Sequence, residues 1–96
     1  MDIQEIELAT RGQVNARRNY IMGLWAGRMI GVEARRLPQY VVTVMQSDYE
    51  EPGPGDVVRK ISRDLVAHGI DLGEAEILRQ LKAVERNVRA ELLATD

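Results

Sequence analysis

Apolar residues recur along this chain every three or four positions, the spacing that places side chains on one face of an α-helix. The spacing predicts four helices over about residues 2–30, 35–47, 56–68 and 73–93. The apolar positions of the four predicted stripes are, in chain order, Val14, Ile21, Leu24, Trp25 and Met29; Tyr40, Val41, Val44 and Met45; Val57, Val58, Ile61 and Leu65; and Ile77, Leu81, Val84, Val88 and Leu92. Four helices with short connections predict an all-α four-helix bundle.

Punctuating residues support these boundaries. Gly31 and Gly69 each follow a periodic segment and are expected to end a helix. Pro38 lacks an N–H group and should therefore lie in the first turn of the second helix. Asp56 is expected to cap the third helix. The β-branched run at residues 41–44 also suits a strand, but a helix is preferred because no second strand is available to pair with it.

A loop rich in proline, glycine and acidic residues separates the second and third helices. Its carboxylates, at Asp48, Glu50, Glu51 and Asp56, lack the alternating ligand spacing of a calcium loop. We expect a solvated acidic loop, with partner contact as the second interpretation and metal binding as the third.

Composition narrows the class of protein. The chain has 96 residues, enough for one domain, and with no Phe and one Trp its core must be mainly aliphatic. A net charge of −2 does not suggest a nucleic-acid-binding surface, and the absence of Cys permits a reducing compartment. The acidic N-terminus is unlike a signal peptide, and no apolar run approaches the ~18 residues of a membrane span. These features predict a cytoplasmic protein that does not insert into the membrane.

No set of residues converges on catalysis. The single histidine, His68, follows a predicted helix and is better explained as a partner of the helix dipole than as a base or ligand. The glycines at residues 53–55 precede a helix but do not form a Walker or dinucleotide-binding pattern. The pattern therefore predicts a binding protein rather than an enzyme, with no metal and no cofactor.

Arginines and the tryptophan are the candidate contact residues. Arg17 and Arg18 can lie on a solvated surface, contact a partner, or pair with Glu50 or Glu51 inside the fold. Trp25 can anchor the core or serve as an interface hot spot, and the first role is preferred because it lies on the predicted apolar stripe.

Several ordered segments carry a family resemblance. The runs ARRN, GLWA and MIG resemble one continuous run of the zeta subunit, the small regulatory subunit of the alphaproteobacterial F-type ATP synthase. Further segments similar to that family are DYEEPG, DVVRK, GID and EILR. The matches are correctly spaced and cover about residues 16–80.

The resemblance implies a four-helix bundle that binds the catalytic head of the synthase and restrains ATP hydrolysis. In the family an N-terminal segment enters a catalytic interface as a helix, and some members bind adenine nucleotides weakly. The candidate partner-binding residues here are Ile3, Ile6, Arg17, Arg18 and Asn19. The implied protein is a monomer when free and becomes peripheral to the inner membrane through the synthase.

The N-terminal segment departs from the family pattern. It contains no Phe, and the part before Arg17 is shorter by roughly ten residues. Tyr20 replaces a Lys, and Pro38 replaces a helix-favouring residue. We expect a flexible helical segment over residues 1–15 and a bundle domain over 16–96. The alternative is a paralogue that has lost inhibition and acts as a stand-alone adaptor or small-molecule sensor.

Overall fold

The computed structural model describes residues 3–49 and 53–94, and in the first helix it describes side chains from residue 12 onward. Four α-helices follow one another: α1 (Ile3–Ile30), α2 (Leu37–Gln46), α3 (Gly55–Ala67) and α4 (Glu74–Ala94). No strand occurs in the described residues, and the run at 41–44 is helical. The predicted all-α four-helix architecture is confirmed, with every boundary within two residues of its predicted position.

The core is aliphatic and is formed most regularly by α3 and α4. Every apolar position predicted for these two helices is buried except Leu92, which is half buried. The regular spacing of apolar residues on both helices explains why the pattern predicted this face correctly. From α2, Val41 and Val44 are buried as predicted, whereas Met45 is 37% exposed.

The buried face of α1 differs from the predicted stripe. Val14 is buried as predicted, but Ile21, Leu24 and Trp25 are only half buried and Met29 is 39% exposed. The most buried positions of α1 are instead Val14, Arg18, Asn19, Met22, Gly23, Ala26 and Gly27. Small residues take much of this face because α2 packs very closely against it.

Two glycines set the approach of α2 to α1. A Cβ atom at Gly23 would lie 3.1 Å from the Cα atom of Val41. A Cβ atom at Gly27 would overlap the side chain of Leu37 and would lie 3.1 Å from Cδ2 of Tyr40. The two helices therefore meet at a separation that a larger residue would increase.

The residues predicted to begin and end the helices do so in the structure, with one exception. Gly31 ends α1 with φ +88°, and the Val32 N–H donates to the carbonyl of Gly27 at 2.9 Å. Gly69 ends α3 as predicted, and Pro38 lies in the first turn of α2. Asp56 is not the cap of α3.

The cap of α3 is Pro54, and Asp56 lies one residue inside the helix, where its buried carboxylate accepts a hydrogen bond from Arg59 at 2.5 Å. An acidic side chain in the first turn still interacts favourably with the positive end of the helix dipole. At the start of α4, the Ile77 N–H donates to the carbonyl of Gly73 at 3.2 Å.

Candidate functional site

The N-terminal part of α1 extends past the end of its neighbour α4. The two helices are antiparallel, with Arg17 Nε lying 3.6 Å from Glu91 Oε2. Since α4 ends at Ala94, the helical rise places that end opposite about residue 14 of α1. Roughly 15 Å of α1 backbone therefore lies beyond α4. The whole helix is ~42 Å long, close to the longest dimension of the protein, 47 Å.

A buried polar cluster holds α1 just behind this projecting part. Arg18 is 3% exposed, and its guanidinium donates from Nε to Asn19 Oδ1 at 2.9 Å and from Nη1 to Asn15 Oδ1 at 3.2 Å. Its Nη2 donates to Asp48 Oδ2 at 3.3 Å, and Glu85 Oε2 lies 3.9 Å from Nη1. The guanidinium thus faces two carboxylates on different parts of the chain.

Asn19 completes the cluster by donating from Nδ2 to the same Asp48 oxygen at 2.7 Å. Asp48 follows α2 directly and Glu85 lies on α4, so the cluster connects α1 to both elements. A buried guanidinium is costly to desolvate, and this cost is offset here because charged and amide groups surround it. The cluster therefore fixes the position of α1 and, with it, the direction of the projecting part.

The structure separates the predicted contact residues into three groups. Arg17 is on the surface, with its side chain 58% exposed. Arg18 and Asn19 are each 3% exposed, which corrects the interpretation of Arg18 as a solvated residue. Ile3 and Ile6 lie in the part of α1 whose side chains are not described. Contact with a partner stays a prediction for all five.

The acidic loop is only partly as predicted. The carboxylate of Asp48 is 18% exposed and belongs to the Arg18 cluster, and that of Asp56 is 4% exposed. The interpretation of these two residues as solvated is therefore wrong, because each is paired with an arginine. Glu50 and Glu51, the partners considered for Arg17 and Arg18, lie outside the described residues.

A second polar contact joins α2 to α3. The Tyr40 hydroxyl donates to Asp64 Oδ2 at 2.8 Å, and Lys60 Nζ lies 2.9 Å from the same oxygen. The Lys60 ammonium also lies 5.7 Å from the centre of the Tyr40 ring. Burial raises the pKa of Tyr40 well above its usual value, and the hydrogen bond and negative charge of Asp64 raise it further. The tyrosine is therefore a stable hydrogen-bond donor at neutral pH.

In the part of the chain that the structure describes, the remaining polar features do not come together as a catalytic set. An open cavity of about 400 Å³ beside α3 is lined by groups of both charges, among them Arg59, Arg63 and Glu74. His68 Nδ1 lies 2.9 Å from the carbonyl oxygen of Asp64, next to the C-terminal end of α3. Among the described residues, no three acidic or histidine side chains come together in a way that could hold a metal ion.

Sequence reasoning misses two contacts of α1. The pattern predicts Asp48 as a solvated loop residue, whereas its carboxylate pairs with Arg18 of α1. The four-residue spacing of Gly23 and Gly27 is a signal of close helix packing that the apolar pattern does not register. Trp25 packs against the core as predicted, but part of the residue stays exposed.

A comparison with known protein families gave a match over most of the chain. The family model for the ATPase inhibitor subunit zeta matches residues 5–91, which includes parts of all four helices. No curated protein and no solved structure gave a match. Across the described residues, no helix has the length and apolar content needed to cross a membrane. The family match confirms the resemblance seen in the sequence, and the chain belongs to the ATPase inhibitor subunit zeta family.

Proposed function

We propose that this protein binds the catalytic head of an F-type ATP synthase and restrains ATP hydrolysis there. The observation that carries the proposal is the family match over residues 5–91, since the family is one of inhibitor subunits and not of catalysts. The proposal places the protein in the cytoplasm, peripheral to the inner membrane while bound.

The projecting part of α1 supports a helix-in-groove mode of binding. Its backbone is helical from Ile3. A segment that is already helical loses less conformational entropy on binding than a disordered one. With ~15 Å of helix beyond the end of α4, nearly three turns can enter a groove without the rest of the bundle following.

The candidate residues have different roles in this proposal. Ile3 and Ile6 supply apolar contacts from the projecting part, and the exposed Arg17 contacts the rim of the groove. Arg18 and Asn19 act indirectly, because their polar atoms are engaged with Asp48 inside the bundle. They hold α1 at a fixed angle, so that the projecting part and the bundle reach the head together.

The charge of the projecting part indicates the surface that it fits. Residues 2–8 carry three acidic side chains, three apolar ones and no basic ones, and the single basic residue before Val14 is Arg11. A groove with apolar walls and basic residues at its rim would complement this segment. Insertion there would restrain hydrolysis sterically, and it requires no chemistry from the inserted protein.

Binding to the isolated head tests the proposal directly. The purified protein is titrated onto the synthase head of its own host, and both binding and ATP hydrolysis are measured. We expect saturable binding and a fall in hydrolysis. The double variant Ile3→Asp/Ile6→Asp should bind at least ~10-fold more weakly, because charge replaces both apolar contacts.

A matched control is Val42→Asp/Val66→Asp, which introduces the same two charges at positions on α2 and α3 that are 48% and 61% exposed. It should bind like the unaltered protein. If the protein binds the head but hydrolysis does not change, the proposed restraint of hydrolysis is refuted and the proposed binding stands. An absence of binding would refute the proposal and favour the alternative of an adaptor with a different partner.

A further inference from the structure

An apolar groove runs between α1 and α4, away from the projecting part. It is open to solvent and has a volume of about 470 Å³. Its lining residues are Ile21, Leu24, Trp25, Arg28 and Met29 from α1, with Gln80 from α4. The groove therefore contains the large apolar side chains that the sequence pattern assigned to the core and that the structure leaves partly exposed.

The composition of this surface is typical of a protein–protein interface. Trp, Tyr, Met and Arg are enriched at interface centres relative to other surfaces. Here Met29 is 39% exposed, and it lines the groove together with Trp25 and Arg28. Trp25 packs against the core with one part and lines the groove with another. A partially exposed Trp fixed by the core is preorganised for contact with a partner.

Arg28 gives the groove a positive charge. Within the described residues, no carboxylate forms an ion pair with its exposed guanidinium, whereas Arg17, Arg79 and Arg89 each have a carboxylate within 3.6 Å. Among the described residues that line the groove, Arg28 is the only charged one, so the groove itself is positively charged. A partner that complements this groove would therefore carry a negative charge opposite Arg28.

We propose that this groove binds an acidic and apolar surface of the synthase head. A carboxylate of that surface pairs with Arg28, and an apolar side chain lies against Trp25. This inference rests on the proposed function and adds a second contact to it. The groove is centred near residue 25 and the projecting part near residue 7, a separation of ~27 Å along one helix. Two contacts on one rigid helix raise the overall affinity, because the second contact forms at high effective concentration.

The absence of cysteine from the chain permits site-specific cross-linking. Met29→Cys places a single thiol in the groove, and Val66→Cys places one on the exposed face of α3 as the control. Each is labelled with a benzophenone maleimide and irradiated in the presence of the isolated head. We expect a cross-link to a subunit of the head from position 29 and none above background from position 66.

Charge reversal measures the contribution of Arg28 in the same titration. Arg28→Glu should weaken binding to the head by roughly 10-fold or more, because it places like charges together. Arg86→Glu is the matched control. Arg86 is an exposed α4 residue that lines a different cavity, and its reversal should change affinity by less than about twofold. Circular dichroism is used to check that both variants remain helical.

The outcomes separate this inference from the proposed function. If the unaltered protein binds the head but Arg28→Glu binds equally well and position 29 gives no cross-link, the groove is not a docking site and the proposed function stands. If the unaltered protein does not bind, the proposed function fails and the groove has lost its proposed occupant. A cross-link from position 29 to a second copy of the chain would also overturn the inference, because the groove would then be a self-association surface.

Discussion

Replacement of Gly23 by alanine tests whether the close contact of α1 and α2 is a structural requirement. In a helix interior, alanine is favoured over glycine by about 1 kcal/mol. At Gly23 this gain is opposed, because the new Cβ would lie 3.1 Å from the Cα atom and 3.2 Å from the Cγ1 atom of Val41. A backbone atom cannot rotate away, so α2 must shift, and overpacking of this kind costs roughly 1–3 kcal/mol.

Gly12 provides the matched control, because it lies in the same helix and a Cβ there would meet no atom within 4 Å. Gly12→Ala should stabilise the protein by about 1 kcal/mol. Gly23→Ala should leave the stability of the protein unchanged or lower it by up to ~2 kcal/mol, because the helix propensity of alanine offsets part of the overpacking cost. The difference between the two variants is the informative quantity, at about 1–3 kcal/mol.

Urea unfolding followed by circular dichroism at 222 nm measures this difference, with thermal unfolding as a second measurement. For a chain of this size, 1 kcal/mol corresponds to a shift of roughly 4–8 °C in Tm. The two alanine variants should therefore differ by at least ~4 °C. Equal stabilisation by both substitutions would show that α2 does not approach Gly23 as closely as described.

Two further predictions concern the polar contacts. Asp48→Ala should destabilise the protein by about 3 kcal/mol, because it leaves the buried Arg18 guanidinium with only a distant carboxylate. Glu33→Ala, which removes an exposed ion pair, should cost less than ~0.5 kcal/mol, and similar losses in urea unfolding would contradict the assignment. The pKa of Tyr40 is raised in the folded protein by burial and by Asp64. As the pH rises above 10, the tyrosine of the unfolded chain therefore ionises first, and the contribution of Tyr40 to the free energy of unfolding, which is complete below pH 10, declines. The stability advantage of the unaltered protein over Tyr40→Phe should therefore shrink above pH 10, by at most ~1.4 kcal/mol per pH unit, and a constant advantage would refute this account.

The accuracy of sequence-based prediction depended on what each helix packs against. α3 and α4 have large aliphatic residues at regular spacing, and these positions alone define the buried face. α1 instead packs through Gly23, Ala26 and Gly27, and a hydrophobicity pattern assigns little weight to small residues. The larger side chains of α1, including Trp25 and Met29, were therefore assigned to the core although they lie at its edge.

The buried polar cluster could be predicted only in part. Arg18 was recognised as a candidate for an internal ion pair, but the choice of its partner depends on the three-dimensional path of the chain. The sequence offered several carboxylates in one acidic loop, and the structure selects Asp48 because it lies at the end of α2, next to α1.

The close packing at Gly23 and Gly27 has a mechanical consequence. Because the side chains of α2 rest directly on the backbone of α1, the two helices cannot slide past each other without a steric clash. They behave as a single lever, and the Tyr40–Asp64 hydrogen bond connects that lever to α3. A force applied to the projecting end of α1 is therefore transmitted to the opposite side of the bundle as a rigid rotation rather than absorbed by bending at the α1–α2 contact.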